Sequence, residues 1–184
     1  KTWIDWKGKS NSLRSYLLRI KMKKINVLLS TFFGYGYLTK IPGTVTSAVT
    51  TVFIYIAYEV LGYKDFKISI VLFFILFFYS FYAVKDSETE FENKDPRQIV
   101  IDEVLGQTMP LILLLYLSQT SQINISIEIY YILSFLFFRF FDILKPFPVS
   151  YFDKKHKNYF GIIMDDIMAG LYSMILIYLI SLKF

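Results

Sequence analysis

The chain contains no cysteine among its 184 residues. That absence excludes disulfides, thiolate metal centres and cysteine nucleophiles. Histidine is nearly as scarce: His156 stands alone, so a centre built from several imidazoles is excluded as well. The glycine-bearing segment "FFGYGYLTKIPGT" is no Walker loop, because no Gly-Lys-Ser/Thr follows it. Charge is thin, with Asp, Glu, Lys and Arg supplying 19% of residues against the roughly 25% usual in soluble domains. No cleavable leader is expected, because "INVLLSTFF" is short and no small-residue cleavage site follows it.

What the sequence has is apolar bulk. It is 55% hydrophobic and 20% aromatic, with 19 Phe and 15 Tyr. Five runs stand out: Ile41–Tyr58, Ile68–Val84, Val104–Ile127, Ile129–Phe138 and Ile167–Leu182. None alternates strictly and all exceed ordinary strand length, so helix is the expectation. A spanning helix needs about 20 apolar residues, which several runs reach only with their charged flanks. The expected fold is all-α: a polytopic membrane helical bundle of about four to five spanning helices, with a cytoplasm-facing polar site. A soluble all-α bundle of greasy helices is the competing architecture, since runs below about 18 residues are ambiguous. Residues 1–21 read as a basic N-terminal extension, with Met22 a natural start, and 22–184 as a single domain.

Alternating helices place the N-terminal segment, the 85–101 loop and the 139–166 segment on one side. That side carries nine Lys/Arg up to Lys40, three in the loop (Lys85, Lys94, Arg97) and five later (Arg139, Lys145, Lys154, Lys155, Lys157), or 17 of 20; the other has Lys64, Lys67 and Lys183. Basic residues mark the cytoplasmic face.

The acids gather on that same face. In "IVIDEVLGQTMPLILLLYL", Asp102 and Glu103 open an apolar run with no further charge until Glu128. "GIIMDDIMAGLYSMILIYLI" repeats the arrangement with Asp165 and Asp166. A charge beside hydrocarbon is costly unless paired or metal-bound. Each pair alone could be a helix-N-terminal acid favoured by the helix dipole. Four carboxylates without soft ligands suit a hard cation, with magnesium the expected cofactor. In "FRFFDILKPFP", Arg139, Asp142 and Lys145 are spaced three apart, along one slowly drifting helix face. Arg139 offers a planar fork and Lys145 a compact cation for phosphate. Asp142 could orient both cations, bind metal or attack phosphorus; the plain alternative is a salt-bridge ladder. Pro146 and Pro148 should stop the helix. In "FFGYGYLTKIPGT", Gly34, Gly36 and Gly43 permit close backbone approach, and Thr44 could cap a helix whose N-terminus attracts an anion. Gly36 and Thr44 are the candidate phosphate contacts here.

"FFGYGYLTKIPGT", "DPRQIVIDEVLGQ", "FRFFDILKPFPVSYFD" and "GIIMDDIMAG" together resemble, in order and spacing, the phosphatidylglycerophosphatase A family, over nearly everything after about residue 28. This chain has Asn158, Tyr159 and Phe160 before Gly161 where members often read Gly-Gly, and Thr46-Ser47 where they read Gly-Ser. The resemblance implies a magnesium-dependent bacterial inner-membrane enzyme that converts phosphatidylglycerophosphate to phosphatidylglycerol and phosphate, acting on a phospholipid monophosphate at the bilayer. Asp102, Glu103, Arg139, Asp142, Lys145, Asp165 and Asp166 match its motif positions. On this reading the four acids hold the metal, and Arg139 and Lys145 hold the phosphate. A water acidified by the metal is the preferred nucleophile, with Asp142 attack the alternative. One histidine is too few for a histidine-type lipid phosphatase, and "DDIMAG" lacks the alternating acids of the haloacid-dehalogenase type. No nucleic-acid partner is expected. A transporter, or a non-catalytic membrane protein with a buried charge cluster, is the alternative; a transporter tends to hold its charges near mid-bilayer, whereas these sit at span ends.

Overall fold

Each of the five apolar runs forms a helix in the computed structural model, which describes residues 6–91, 96–120, 122–123 and 125–183, with the side chains of 6–14 and 183 outside that description. Residues 1–5 of the expected extension and Lys94 of the basic count likewise lie outside the described residues. The elements are α1 (Trp6–Ser30), α2 (Pro42–Tyr55, continued by a π turn Ile56–Val60), α3 (Phe66–Ser87), α4 (Ile101–Gln119), α5 (Ile127–Leu144), α6 (Val149–Lys155) and α7 (Tyr159–Lys183). No strand occurs among the described residues. α1 runs unbroken through Met22.

Among the described residues, four stretches are long and apolar enough to cross a membrane: Pro42–Val60, Phe66–Glu90, Ile101–Gln119 and Tyr159–Leu182. The fourth expected span is α5, 18 residues that include Glu128, Arg139 and Asp142. The third expected span is shifted. It begins at Ile101, taking both acids into its first turn, and ends at Gln119 before the polar "TSQINIS" segment. α3 shows why this is a membrane bundle. Val71, Phe74, Ile75, Phe78 and Tyr82 form an exposed stripe at helical spacing, while Phe73, Phe77 and Phe81 pack inward. A helix apolar all round belongs in a large core or in lipid.

α4 is the hub, packing against α2, α3, α5 and α7. Its spanning window is 67% buried against 22% for α3. The tightest crossing is between α4 and α7. A Cβ on Gly106 would lie 2.6 Å from the Asp166 carbonyl oxygen, and one on Gly170 would lie 3.1 Å from the Gly106 carbonyl carbon. Small residues let backbones approach this closely. Pro110, inside α4, has no N–H to offer the carbonyl four residues back. That carbonyl is Gly106's, and Gly170 faces it.

The remaining connections tie the site end together. Asn26 on α1 donates to Asp86 at 2.7 Å and accepts from the Tyr79 hydroxyl at 2.6 Å. The Val100 amide, at the start of α4, donates to the Ser30 carbonyl at 2.8 Å. Asn158 caps α7 by accepting from the Phe160 and Gly161 amides at 3.1 and 3.2 Å.

Candidate active site

The starts of α2, α4 and α7, the end of α5, α6 and the loops beside them enclose a cavity of about 420 Å³. It is lined by Asp102, Glu103, Arg139, Asp142, Lys145, Asp165 and Asp166. Four separate stretches of sequence therefore meet at one end of the bundle.

Helix register sets which acids converge. Asp102 precedes Gly106 by four residues and Asp166 precedes Gly170 by four, so each lies about one turn from the crossing on the same helix face. Asp102, Glu103 and Asp166 each bring a carboxylate oxygen within 4.8 Å of the others. Asp102 Oδ1 and Glu103 Oε2 are buried without a hydrogen-bond partner among the described residues. Three crowded carboxylates with orphaned oxygens are strongly unfavourable unless a cation neutralises them. All-oxygen donors at this spacing fit a hard divalent ion.

Asp165 is placed differently from its neighbour. Its Oδ2 accepts from Lys145 Nζ at 2.8 Å, and its Oδ1 accepts from the Asp166 amide at 3.1 Å. It stands beside the three-acid group rather than within it. Lys145 also donates to Asp153 Oδ1 at 2.5 Å. Burial lowers the Lys145 pKa, but the charges and hydrogen bonds of Asp165 and Asp153 outweigh it and hold the ammonium above its ordinary range.

The Arg139–Asp142–Lys145 ladder is only partly formed. Arg139 and Asp142 are paired. Lys145 is not on the helix: α5 ends at Leu144, and Lys145 caps it in the left-handed region with φ 46°. That conformation is uncommon for a side-chain-bearing residue and turns Lys145 toward α6 and α7. Asp142 therefore orients one cation, not two. Arg139 Nε is buried without a partner among the described residues.

The first glycine segment divides. Gly36 does not line the cavity; a Cβ there would lie 2.8 Å from the Gln98 carbonyl carbon, so its role is to let two backbones touch. Gly43 is the glycine at the site, where a Cβ would lie 2.9 Å from Glu103 Cδ and 3.3 Å from Arg139 Nη1. Thr44 lines the cavity but caps nothing. α2 begins at Pro42, with Ile41 in the capping position and no side-chain cap. Proline is suited to that first position because its missing N–H would be unpaired anyway.

Arg97, Asp153, His156 and Lys157 also line the cavity and were given no role by the sequence reading. Arg97 and Asp153 fall within segments quoted for the family resemblance, which was the available signal. Gly106 and Gly170 were readable as a shared Asp-x-x-x-Gly spacing.

The family model for phosphatidylglycerophosphatase A matches residues 28–181. A Haemophilus influenzae phosphatidylglycerophosphatase A is 35% identical over 165 residues, covering 87% of this chain and 94% of its own. A Bacteroides thetaiotaomicron protein, named provisionally as a phosphatidylinositol-3-phosphatase, is 32% identical over 152 residues, 82% of this chain and 90% of that one. An Escherichia coli phosphatidylglycerophosphatase A is 28% identical over 163 residues, 89% of this chain and 87% of that one. No solved structure matches the chain. With an acid cluster and two phosphate-capable cations at the end of a membrane bundle, and with a family model covering most of its length, the chain belongs to the phosphatidylglycerophosphatase A family of phosphate monoester hydrolases.

Proposed function

We propose that the cavity hydrolyses the terminal phosphate of phosphatidylglycerophosphate, leaving phosphatidylglycerol and phosphate, with magnesium as cofactor and from the cytoplasmic face of a bacterial inner membrane. The observation that carries this is the three-acid group with unpartnered buried oxygens beside Arg139. The names of the Haemophilus influenzae and Escherichia coli relatives support the substrate.

Asp102, Glu103 and Asp166 would hold the magnesium. When bound it supplies positive charge to the phosphate oxygens and acidifies water. Phosphoryl transfer otherwise needs positioning and cations on the equatorial oxygens. Arg139, held by Asp142, presents its free Nε to the phosphate. Lys145, held by Asp165 and Asp153, adds a compact charge. Gly43 and Thr44, whose amides lie in the first turn of α2 and so lack intrahelical acceptors, line the same cavity. A water oxygen attacks phosphorus in line with the ester oxygen, the bond from phosphorus to the glycerol oxygen breaks, and a proton from the water ends on that oxygen as the alcohol leaves. The pairing of Asp142 with Arg139 favours this route over Asp142 as nucleophile.

The test is phosphate release from phosphatidylglycerophosphate in detergent micelles, with magnesium and with excess chelator. Turnover that is undiminished by chelator would overturn the metal assignment. Reporter fusions check the orientation: tags in the 85–101 segment and after Lys155 should face the cytoplasm and one at Gln122 the opposite side, as the basic bias requires. Finding 122 and 155 on one side would sink the alternating topology.

A further inference from the structure

The cavity holds more cations than one phosphate needs. Arg139 and Lys145 are committed to acids within the site. Arg97 and Lys157 line the same cavity, are exposed at its mouth, and form no ion pair with any described residue. Both are placed by built turns. Arg97 sits in a turn closed by the Ile99 amide donating to the Pro96 carbonyl at 2.9 Å, and the following Val100 amide is tied to Ser30 on α1. Lys157 immediately precedes Asn158, the cap of α7. Its loop lies hard against the helix start, since a Cβ at Gly161 would be 2.7 Å from the His156 carbonyl carbon. Two separate segments thus hold cations over the mouth that pair with no described residue, while Arg139 and Lys145 lie deeper among the acids.

We propose that Arg97 and Lys157 form a second anion subsite, which binds the phosphodiester of a lipid headgroup while its phosphomonoester occupies the acid-lined floor. The inference rests on the phosphatase reading and adds the residues that read the second phosphate of a headgroup carrying both a diester and a terminal monoester. A lipid whose only phosphate is the monoester leaves the subsite empty. The subsite therefore sets selectivity between these two kinds of lipid.

The experiment measures kcat/KM for phosphatidylglycerophosphate and for phosphatidic acid, in uncharged detergent micelles. The proteins are the wild type, Arg97→Gln, Lys157→Gln and the double variant. The wild type should prefer the two-phosphate lipid. The ratio of the two values should fall about threefold for each single change and about tenfold for the double, as expected of exposed ion pairs. The fall should come through KM, and Arg97→Lys should keep most of the preference. Raised salt should also shrink the wild-type ratio, because exposed charges are screened. An unchanged ratio in the double variant would overturn the subsite. So would an equal loss on both lipids, which would make the two cations general attractors of anionic lipid. Absence of phosphate release from either lipid by the wild type would instead overturn the underlying phosphatase reading, and the inference with it.

Discussion

Helices α4 and α7 share one device and finish it differently. Each carries two adjacent acids, in the first turn of α4 and two turns into α7, and reaches the crossing glycine four residues after one of them: Asp102 before Gly106, Asp166 before Gly170. Those two aspartates are equivalent by register and both reach the three-acid group. Their neighbours lie on opposite sides of them in sequence, and so about 100° apart in opposite senses around the helix. Glu103 follows Asp102 and turns toward α2 and α5, where it meets Gly43. Asp165 precedes Asp166 and turns toward α6, where it takes Lys145. A one-residue choice of side thus separates an acid of the three-carboxylate group from one that holds a lysine.

The equivalence of Asp102 and Asp166 is tested first, because it carries the largest effect. Asp102→Asn and Asp166→Asn keep shape and remove charge. Each should cut turnover roughly 10²–10³-fold, the usual loss when a charge-stabilising group is deleted from a transition state. Metal-free melting in detergent should hold or rise, since removing one of three acids within 4.8 Å relieves repulsion. Normal turnover in both variants would refute the catalytic reading. A large loss of metal-free stability would mark the acids as structural partners instead.

The crossing itself is next. Gly170→Ala gains about 1 kcal/mol of helix propensity. The new methyl, however, meets the Gly106 backbone, which cannot rotate away, and overpacking of this kind costs about 1–3 kcal/mol. The clash should win, lowering the melting temperature. Moving the helices apart separates Asp102 from Asp166, so apparent magnesium affinity should drop about tenfold or more. Gly106→Ala should behave alike, somewhat relieved because one of its contacts is the Phe138 ring. Weakened stability with unaltered metal affinity would show that the crossing supports the fold without setting the site.

The divergence of the neighbours predicts a split in kinetics. Glu103→Gln should weaken the response to magnesium. Asp165→Asn should leave that response nearly intact and raise KM for the lipid, on the order of tenfold for a lost charge-assisted hydrogen bond. Titrating magnesium at fixed lipid, and lipid at fixed magnesium, separates the two. Identical profiles would erase the distinction drawn between the helices.

These contrasts also mark how far the sequence could be read. Acids at the mouths of apolar runs, and cations with them on one face, were legible because period and hydropathy act within one helix. The family segments pointed to the same residues. The finer division was not legible. Adjacent acids diverge by about 100°, but which of them faces a neighbour depends on where α4 and α7 cross. Lys145 looked like the next rung after Asp142, yet the helix ends one residue earlier and Lys145 turns out in the left-handed region. Gly36 and Gly43 were indistinguishable as flexible residues. Only the packing of Gln98 against one and Glu103 against the other separates them. Such approaches come from long-range contacts that no local pattern encodes.

The smallest effect concerns the lysine on the α7 side of the comparison. Burial works against the Lys145 charge, but Asp165 and Asp153 work for it more strongly, so its folded pKa lies above the unfolded one. A group raised in this way stabilises the fold fully below its unfolded pKa and loses that contribution as pH rises through the folded value. Unfolded lysine titrates near 10.4, so across the neutral range the ion pairs should be constant. Lys145→Asn tests this cleanly, because asparagine tolerates the left-handed backbone while removing the charge. The melting difference between wild type and Lys145→Asn, on the order of 1 kcal/mol for a partly exposed pair, should stay flat from about pH 7.5 to 9 and, on the alkaline side, shrink only in stronger alkali. A difference that already fades as pH rises from about 7.5 to 9 would mean that burial, not the two aspartates, governs Lys145.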